Sequence, residues 1–166
     1  MNIESYVLQQ YEPDRPPLIT RIALCPGPKV GEDCEDVFWT FSLTFGDESY
    51  FFHKGYDAQG TYDIRSTAYM LESVAASEAA FQRTTVGNCL VGVFLSAWLV
   101  DLDVLARNDR TGVCTCYIVP LNPPVQMTPI LLHIDAVELA LYARWLRETF
   151  ERFQILSGQL AGLGGA

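Results

Sequence analysis

Val37-Phe-Trp-Thr-Phe-Ser-Leu-Thr-Phe45 is the stretch that decides the fold class of this chain. Its odd positions carry large apolar side chains, whereas threonine or serine occupies positions 40, 42 and 44. Because successive side chains of a strand point to opposite faces of the sheet, this period of two predicts a β-strand. One face of that strand is buried and the other meets water, which is typical of an antiparallel sheet.

The elements around this stretch form a pattern that occurs twice. In the first half the order is the strand 37–45, a turn at 46–47, a strand around 50–52, a short strand at 61–65 and a helix that begins near Ser66 and continues to Arg83. In the second half the order is a strand at 98–105, a turn at 108–112, a strand at 113–119, a short strand at 127–134 and a helix that begins at Asp135. If residues 86–94 form a separate strand, each half has four strands.

These elements predict an α+β fold, in which an antiparallel sheet carries two helices and a unit of three or four strands and one helix is internally duplicated. A single domain over 18–156 accommodates them, with pseudo-repeats at about 18–83 and 86–153. Prolines at positions 13, 16 and 17 indicate an N-terminal arm over 1–17. The glycine-, alanine- and leucine-rich stretch 157–166 is predicted to be a flexible tail.

The charge balance restricts the classes of partner. The chain has 11 lysines and arginines against 20 aspartates and glutamates, which is a net charge of −9 at pH 7. Generic attraction to nucleic-acid phosphates needs a basic surface, so this balance disfavours nucleic acid. It is compatible with a basic protein partner.

Cysteine usage and hydropathy indicate a cytoplasmic protein that crosses no membrane. The odd number of cysteines, five, and the lack of a signal-peptide pattern favour reduced thiols. The longest apolar run, at 89–100, is about a dozen residues long, whereas a membrane-spanning helix needs roughly 20.

No catalytic or metal-binding signature stands out in the chain. Cys114 and Cys116 are the only close cysteine pair, and a single Cys-x-Cys lacks the second knuckle of a structural zinc site, so we expect two small buried side chains. His53, beside Lys54, has the setting of a general base but also that of any polar strand end. We expect His133 to be a core or interface histidine. The prediction is therefore no catalytic residue, no metal ion and no cofactor.

These observations favour a non-enzymatic function. We predict a small acidic protein that acts through a protein–protein interface, as an inhibitor, an adaptor or an immunity-type factor. The predicted partner-binding residues belong to an acidic cluster and an aromatic hairpin: Glu32, Asp33, Glu35, Asp36, Tyr50, Phe52 and Tyr56.

The last helix predicts self-association. Its first turn, at Asp135 and Glu138, resembles a capping box, and positions 139, 142, 146, 150 and 153 form an apolar stripe. A second apolar line runs beside this stripe: Val137, Leu141 and Trp145. The second line is covered either by the other helix of the chain or by a second copy, and we predict a homo-oligomer, most simply a dimer.

The repeated order also resembles a known group of folds. The resemblance rests on two segments. The first runs from residues 48–52 to Asp63-Ile64, and the second runs from residues 102–104 to Tyr117 and is followed by the helix at Asp135. The order of strands and helix in these segments is similar to that in the Whirly, PC4-like and PUR-repeat proteins, which bind single-stranded nucleic acid. The resemblance implies an alternative function, in which aromatic side chains stack on bases and basic side chains contact phosphates. The residues implied are Tyr50, Phe52, Lys54, Tyr56, Tyr62, Arg65 and Arg107.

Overall fold

The computed structural model describes residues 2–26, 37–54, 58–76, 81–93, 96–109, 111–121 and 128–164. The elements are, in chain order, β1 (Asn2–Leu8), β2 (Leu18–Pro26), β3 (Val37–Phe45), β4 (Glu48–Lys54), α1 (Ala58–Ala76), β5 (Phe81–Val93), β6 (Ser96–Asn108), β7 (Val113–Leu121), β8 (Ile130–Asp135) and α2 (Ala136–Gly164). The predicted α+β class, with antiparallel strands and two helices, is confirmed.

Every strand pairs with the strand that follows it, so the sheet order is β1-β2-β3-β4-β5-β6-β7-β8. Residues 86–94 thus lie largely in a strand of their own, β5. The described pairing between β4 and β5 covers only Phe52–Val91 and His53–Leu90, so the two halves of the sheet are narrowly joined. Four strands and a helix occur in each half, while the internal duplication itself stays a prediction.

The sheet curves until its two ends meet. In a flat sheet of eight strands, β1 and β8 would lie about 34 Å apart, since neighbouring strands are about 4.8 Å apart. The Tyr11 amide, three residues after β1, nevertheless donates to the carbonyl of His133 in β8 at 2.8 Å. Three residues span at most about 11 Å, so the strands themselves must approach each other.

Both helices pack on the same face of the curved sheet. The strand residues of this face alternate with outward ones, as in β3, where Phe41 and Leu43 are buried and Ser42 and Thr44 are partly exposed. The predicted apolar stripe of α2 is buried as well: Leu139, Tyr142, Leu146, Phe150 and Phe153. A small apolar cavity of about 60 Å³ remains between the sheet and the two helices.

Two terminal predictions are wrong. Residues 2–8 of the predicted N-terminal arm form the outermost strand, β1, and its Leu8 is buried in the core. The predicted flexible tail is helical as far as Gly164. In β1 the hydrophobic alternation is weak because Glu4 faces the helices, where its carboxylate binds Arg152 of α2.

The boundaries of α1 also differ from the prediction. The helix begins at Ala58 instead of near Ser66, so the predicted short strand at 61–65 is wrong. It ends at Ala76, and residues 81–83, predicted to be helical, belong to β5. At this end of the helix the buried Asn108 side chain of β6 donates to the carbonyls of Val74 and Ala75, at 3.1 Å and 3.3 Å. These bonds satisfy carbonyl groups that the last helical turn leaves without partners.

Candidate functional site

The candidate site lies on the face of the sheet opposite the helices. In the second half of the chain this face, here called the open face, is formed by alternate residues of four strands: Phe81, Arg83 and Thr85 of β5, Asp103, Leu105 and Arg107 of β6, Thr115 and Tyr117 of β7, and Leu131 and His133 of β8. Both described helices pack on the other side, where the neighbours of these residues, such as Leu102, Cys116 and Leu132, are buried.

Five side chains of the open face surround a shallow depression of about 200 Å³, and we call them the Phe81–Tyr117 patch: Phe81, Leu105, Arg107, Thr115 and Tyr117. The strand register brings them together, because Arg107 pairs with both Phe81 and Thr115, and Leu105 pairs with Tyr117. Phe81 is 61 % exposed and Tyr117 is 43 % exposed. Large apolar side chains that stay accessible around a depression are a common feature of binding surfaces.

A buried carboxylate organises the side of the open face next to the patch. Asp103 is only 5 % exposed, and it accepts a hydrogen bond from Thr85 at 2.8 Å and pairs with Arg83 at 2.7 Å. A buried carboxylate needs such partners to offset the loss of water. Asp103 therefore holds Arg83 against the sheet. Arg107, in the patch itself, forms no ion pair with any residue within the described ranges and is exposed.

The other side of the patch ends at β8. His133 pairs in register with Thr115, and its Nδ1 lies 3.4 Å from the Thr115 hydroxyl. The amide of His133 donates to the buried side chain of Gln10 at 3.1 Å. His133 is thus a partly buried residue of β8 with contacts inside the chain, and its role as a core or interface histidine stays a prediction.

Among the predicted nucleic-acid residues, Arg107 alone is placed on the open face by the described side chains. Tyr62 and Arg65 lie in α1, and Arg65 contacts Glu151 of α2 at 3.4 Å. Arg65 and Arg107 are therefore on opposite sides of the sheet, a placement that disfavours their contacting one strand of nucleic acid together, and the predicted nucleic-acid site stays a prediction.

For the aromatic hairpin, the structure describes the course of the backbone and the strand pairing. Tyr50, Phe52 and Lys54 lie in β4. Tyr50 and Phe52 pair in register with the buried residues Leu43 and Phe41, and Lys54 pairs with Trp39. Alternation therefore assigns these positions to the helix-covered side. Tyr56 and the acidic cluster of Glu32, Asp33, Glu35 and Asp36 lie outside the described residues.

Phe81 and Tyr117 are not among the site residues predicted from the sequence. Phe81, Arg83 and Thr85 alternate with Gln82, Thr84 and Val86, which is the period of a strand. The assignment of residues 66–83 to one helix hid this signal. Tyr117 was assigned to a strand, but its exposed side could only be known once both helices were placed on the other face.

The cysteines of β7 are buried under the helices, which confirms the expectation for Cys114 and Cys116. Burial raises the pKa of Cys114 to about 11 and that of Cys116 to about 12. Both thiols stay protonated at neutral pH, and the protonated form is a weak nucleophile and metal ligand. Within the described residues, no three or more histidine, cysteine, aspartate or glutamate side chains are grouped to hold a metal ion.

The second apolar line of α2 divides into two parts. Val137 and Leu141 are exposed, but Trp145 packs within the chain, its ring 5.3 Å from that of Tyr6 and 6.1 Å from that of Tyr142. Neither described helix is long and apolar enough to cross a membrane.

A scan against protein-family models and searches of curated proteins and of solved structures found no match. The functional assignment therefore rests on the geometry and chemistry of the chain itself.

Proposed function

We propose that this chain is a non-enzymatic binding protein that recognises a protein partner through the open face, with the Phe81–Tyr117 patch at the centre of the contact. The observation that carries the proposal is the depression itself, which has accessible aromatic rings and an exposed arginine at its rim. Aromatic residues and arginine are enriched in protein interfaces and among the residues that contribute most to binding.

The chemistry of the patch indicates what the partner presents to it. An apolar side chain fits between Phe81 and Tyr117, above Leu105, where it loses contact with water. A carboxylate or a carbonyl beside it fits Arg107, whose fork of N–H donors forms no ion pair within the described residues. The overall charge of −9 favours a basic surface on the partner around this contact. Such a protein would act as an inhibitor, an adaptor or an immunity-type factor in the cytoplasm.

Single-stranded nucleic acid is the second candidate for the same face. Two aromatic side chains and two arginines, Arg83 and Arg107, share it, and stacking on aromatic rings contributes about 1–3 kcal/mol per base. The charges favour protein, because Arg83 is paired with Asp103 and the whole chain is acidic.

Site-specific photocrosslinking distinguishes the candidates. A photoreactive phenylalanine analogue at position 117, in the cells that produce this chain, is expected to form one major crosslinked species that protease degrades and nuclease leaves intact. The matched control is the same analogue at position 3, because Ile3 is also an exposed large apolar residue of the sheet but lies in the first half. A species sensitive to nuclease would support the nucleic-acid candidate instead, and equal crosslinking at both positions would contradict any role of the patch.

A second measurement tests the contribution of the patch to affinity. With the crosslinked partner in hand, Phe81→Ala and Arg107→Glu are each expected to weaken its binding about tenfold or more. Val7→Ala, on the open surface of β1, is the matched control and should leave binding unchanged. Fluorescence anisotropy with a labelled single strand of about 30 nucleotides at low salt provides the parallel test for the nucleic-acid candidate.

A further inference from the structure

Four of the five residues of an exposed stripe on α2 have a complementary counterpart when the helix is read in the reverse direction. The stripe, here called the α2 outer stripe, consists of Val137, Leu141, Arg144, Glu148 and Ile155. At 3.6 residues per turn these positions fall within an arc of about 60° on the helix. Val137 is 67 % exposed, Ile155 is 64 % exposed and Leu141 is 46 % exposed, so the stripe carries accessible apolar side chains at both ends.

The two charges of this stripe differ from the other charges of α2. Arg147 binds Glu72 of α1 at 2.9 Å and Arg152 binds Glu4 of β1, so both are used inside the chain. Arg144 and Glu148 are both exposed, and neither forms an ion pair with a residue in the described part of the chain, although their spacing permits a pair within the helix.

The positions of these residues have a two-fold relation. Arg144 and Glu148 are equidistant from position 146, and Val137 and Ile155 are equidistant from the same position. Consider a second α2 that lies antiparallel to the first, with the two-fold axis crossing the outer stripe at the level of position 146 along the helix. Arg144 of each copy then faces Glu148 of the other. Val137 of each copy then faces Ile155 of the other, whereas Leu141 faces Glu151, so four of the five stripe positions are complementary. A two-fold interface requires this kind of self-complementary surface.

We propose that a second copy of this chain docks on the α2 outer stripe, with the two helices antiparallel. Opposite charges meet at the centre, and an apolar pair covers each end. This proposal goes beyond the partner-binding function, because the stripe and the Phe81–Tyr117 patch lie on opposite layers of the molecule. It also changes the predicted interface, since Trp145 is packed within the chain while Arg144, Glu148 and Ile155 join Val137 and Leu141. One helix pair is a small contact, so we expect dissociation in the micromolar range.

Charge exchange tests the central contact. Arg144→Glu places two carboxylates against each other at two sites, so the dimer is expected to weaken about tenfold or more, and Glu148→Arg should act likewise. The double variant Arg144→Glu/Glu148→Arg restores opposite charges and should restore the dimer. Arg107→Glu, with the same change in net charge on the open face, is the matched control and should dimerise normally. Sedimentation equilibrium between about 1 and 200 µM measures each constant, and thermal melts show that every variant is folded.

Cysteine crosslinking tests the direction of the helices. The two copies of position 137 would be about 27 Å apart along the antiparallel pair, whereas positions 137 and 155 of different copies would be adjacent. A mixture of Val137→Cys and Ile155→Cys is therefore expected to form a disulfide-linked dimer on mild oxidation. Either variant alone should not exceed the background of the wild-type chain, which has five cysteines of its own.

Three results would overturn the proposal. The first is a wild-type mass near 18.6 kDa, the mass of one chain, at every concentration up to about 200 µM. A dimer that dissociates in the micromolar range would be formed at the upper end of this range. The second is a dimer that Arg144→Glu leaves intact, which would assign the contact to another surface. The third is crosslinking of Val137→Cys to itself, which would indicate parallel helices.

Discussion

The Tyr142 hydroxyl and the Thr20 hydroxyl lie 2.9 Å apart between α2 and β2, and both side chains are buried. Burial also raises the pKa of Tyr142 to about 12, so the phenol is neutral at physiological pH. At the scale of single residues, this bond connects the C-terminal helix to the first half of the sheet. Neither hydroxyl has access to water as an alternative partner.

A double-mutant cycle measures this bond. Thr20→Val and Tyr142→Phe should each lower the free energy of unfolding by about 1–3 kcal/mol, because each leaves one buried hydroxyl without its partner. The double variant should lose less than the sum, with a coupling of about 1 kcal/mol. Urea titration at pH 7 gives the three values. If the loss of free energy in the double variant equals the sum of the two single losses, the two hydroxyls do not stabilise each other.

The same residues predict the response to alkaline pH. Cys114, Cys116 and Tyr142 all have pKa values that burial raises, to about 11, 12 and 12. In the unfolded chain the thiols ionise near pH 9 and the phenol near pH 10, so above about pH 9 the unfolded state binds fewer protons than the folded state. Stability is therefore expected to be independent of these groups below pH 8 and to fall progressively as the pH rises from about 9 to 12.

The measurement is urea unfolding in steps from pH 7 to pH 11. Removal of both thiols in Cys114→Ala/Cys116→Ala should move the beginning of the decline toward pH 10, where the tyrosine starts to contribute. This comparison uses the change of the free energy of unfolding with pH. A general loss of stability from the smaller side chains, which is the same at every pH, therefore does not affect it. An unchanged slope would show that the thiols ionise equally in both states.

At the scale of elements, Asn108 caps the last turn of α1. Its amide donates to the carbonyls of Val74 and Ala75, and the residue is 5 % exposed. We expect Asn108→Ala to lower the free energy of unfolding by about 1–2 kcal/mol. Asn108→Asp should be worse, because a carboxylate cannot donate and its charge opposes the negative end of the helix dipole. Arg107→Ala, at the exposed neighbour, should change stability by less than about 0.5 kcal/mol.

Thermal and urea unfolding rank these variants. If Asn108→Asp were as stable as the wild type, the side chain would not act as a donor to the helix. Hydrogen exchange of the last α1 amides provides a local measure, since loss of the Asn108 contacts should let the final turn open more often.

Contacts between α1 and α2 explain why the first helix begins early. Residues 58–65 contain Gly60 and Thr61, which are poor helix formers, so local propensity opposes a helix there. Ile64 is nevertheless buried, and Arg65 reaches Glu151 of α2. Burial of an apolar residue and an interhelical contact thus outweigh the local preference, as tertiary packing commonly does.

At the scale of the whole molecule, Gln10 joins the two ends of the sheet. Its side chain accepts from the amide of His133 at 3.1 Å and donates to the carbonyl of Pro16 at 2.8 Å. We expect Gln10→Leu to lower the free energy of unfolding by about 1–2 kcal/mol, since it leaves two partly buried backbone groups without their partner. The exposed neighbour provides the matched control, Gln9→Leu, which should have little effect.

Amide exchange distinguishes closure of the sheet from general stability. In Gln10→Leu the amides of Tyr11 and His133 should exchange faster by a larger factor than the core amides of β6. Uniform acceleration across the sheet would mean that Gln10 contributes to stability without holding the ends together.

Several features of this protein are predictable from local periodicity. The alternation of residues 37–45 predicted β3, and the apolar stripe of residues 139–153 predicted α2. In both cases the hydrophobic effect acts on one face of a single element, so the pattern lies within a few residues. Asp135 was likewise recognisable at the start of α2, where its carboxylate accepts from the amide of Val137 at 2.9 Å.

The sequence by itself determined the α+β class, the antiparallel strands and the buried face of α2, because each depends on contacts between near neighbours in the chain. Tertiary structure alone decided the contact between the two ends of the sheet and the position of the open face. Gln10 and His133 are 123 residues apart, and Glu4 and Arg152 are 148 apart. No pattern of neighbouring residues indicates which distant groups form hydrogen bonds or ion pairs with one another. The exposure of Phe81 and Tyr117 likewise depends on both helices packing on the opposite face of the sheet, and that choice is made only when the whole core is assembled.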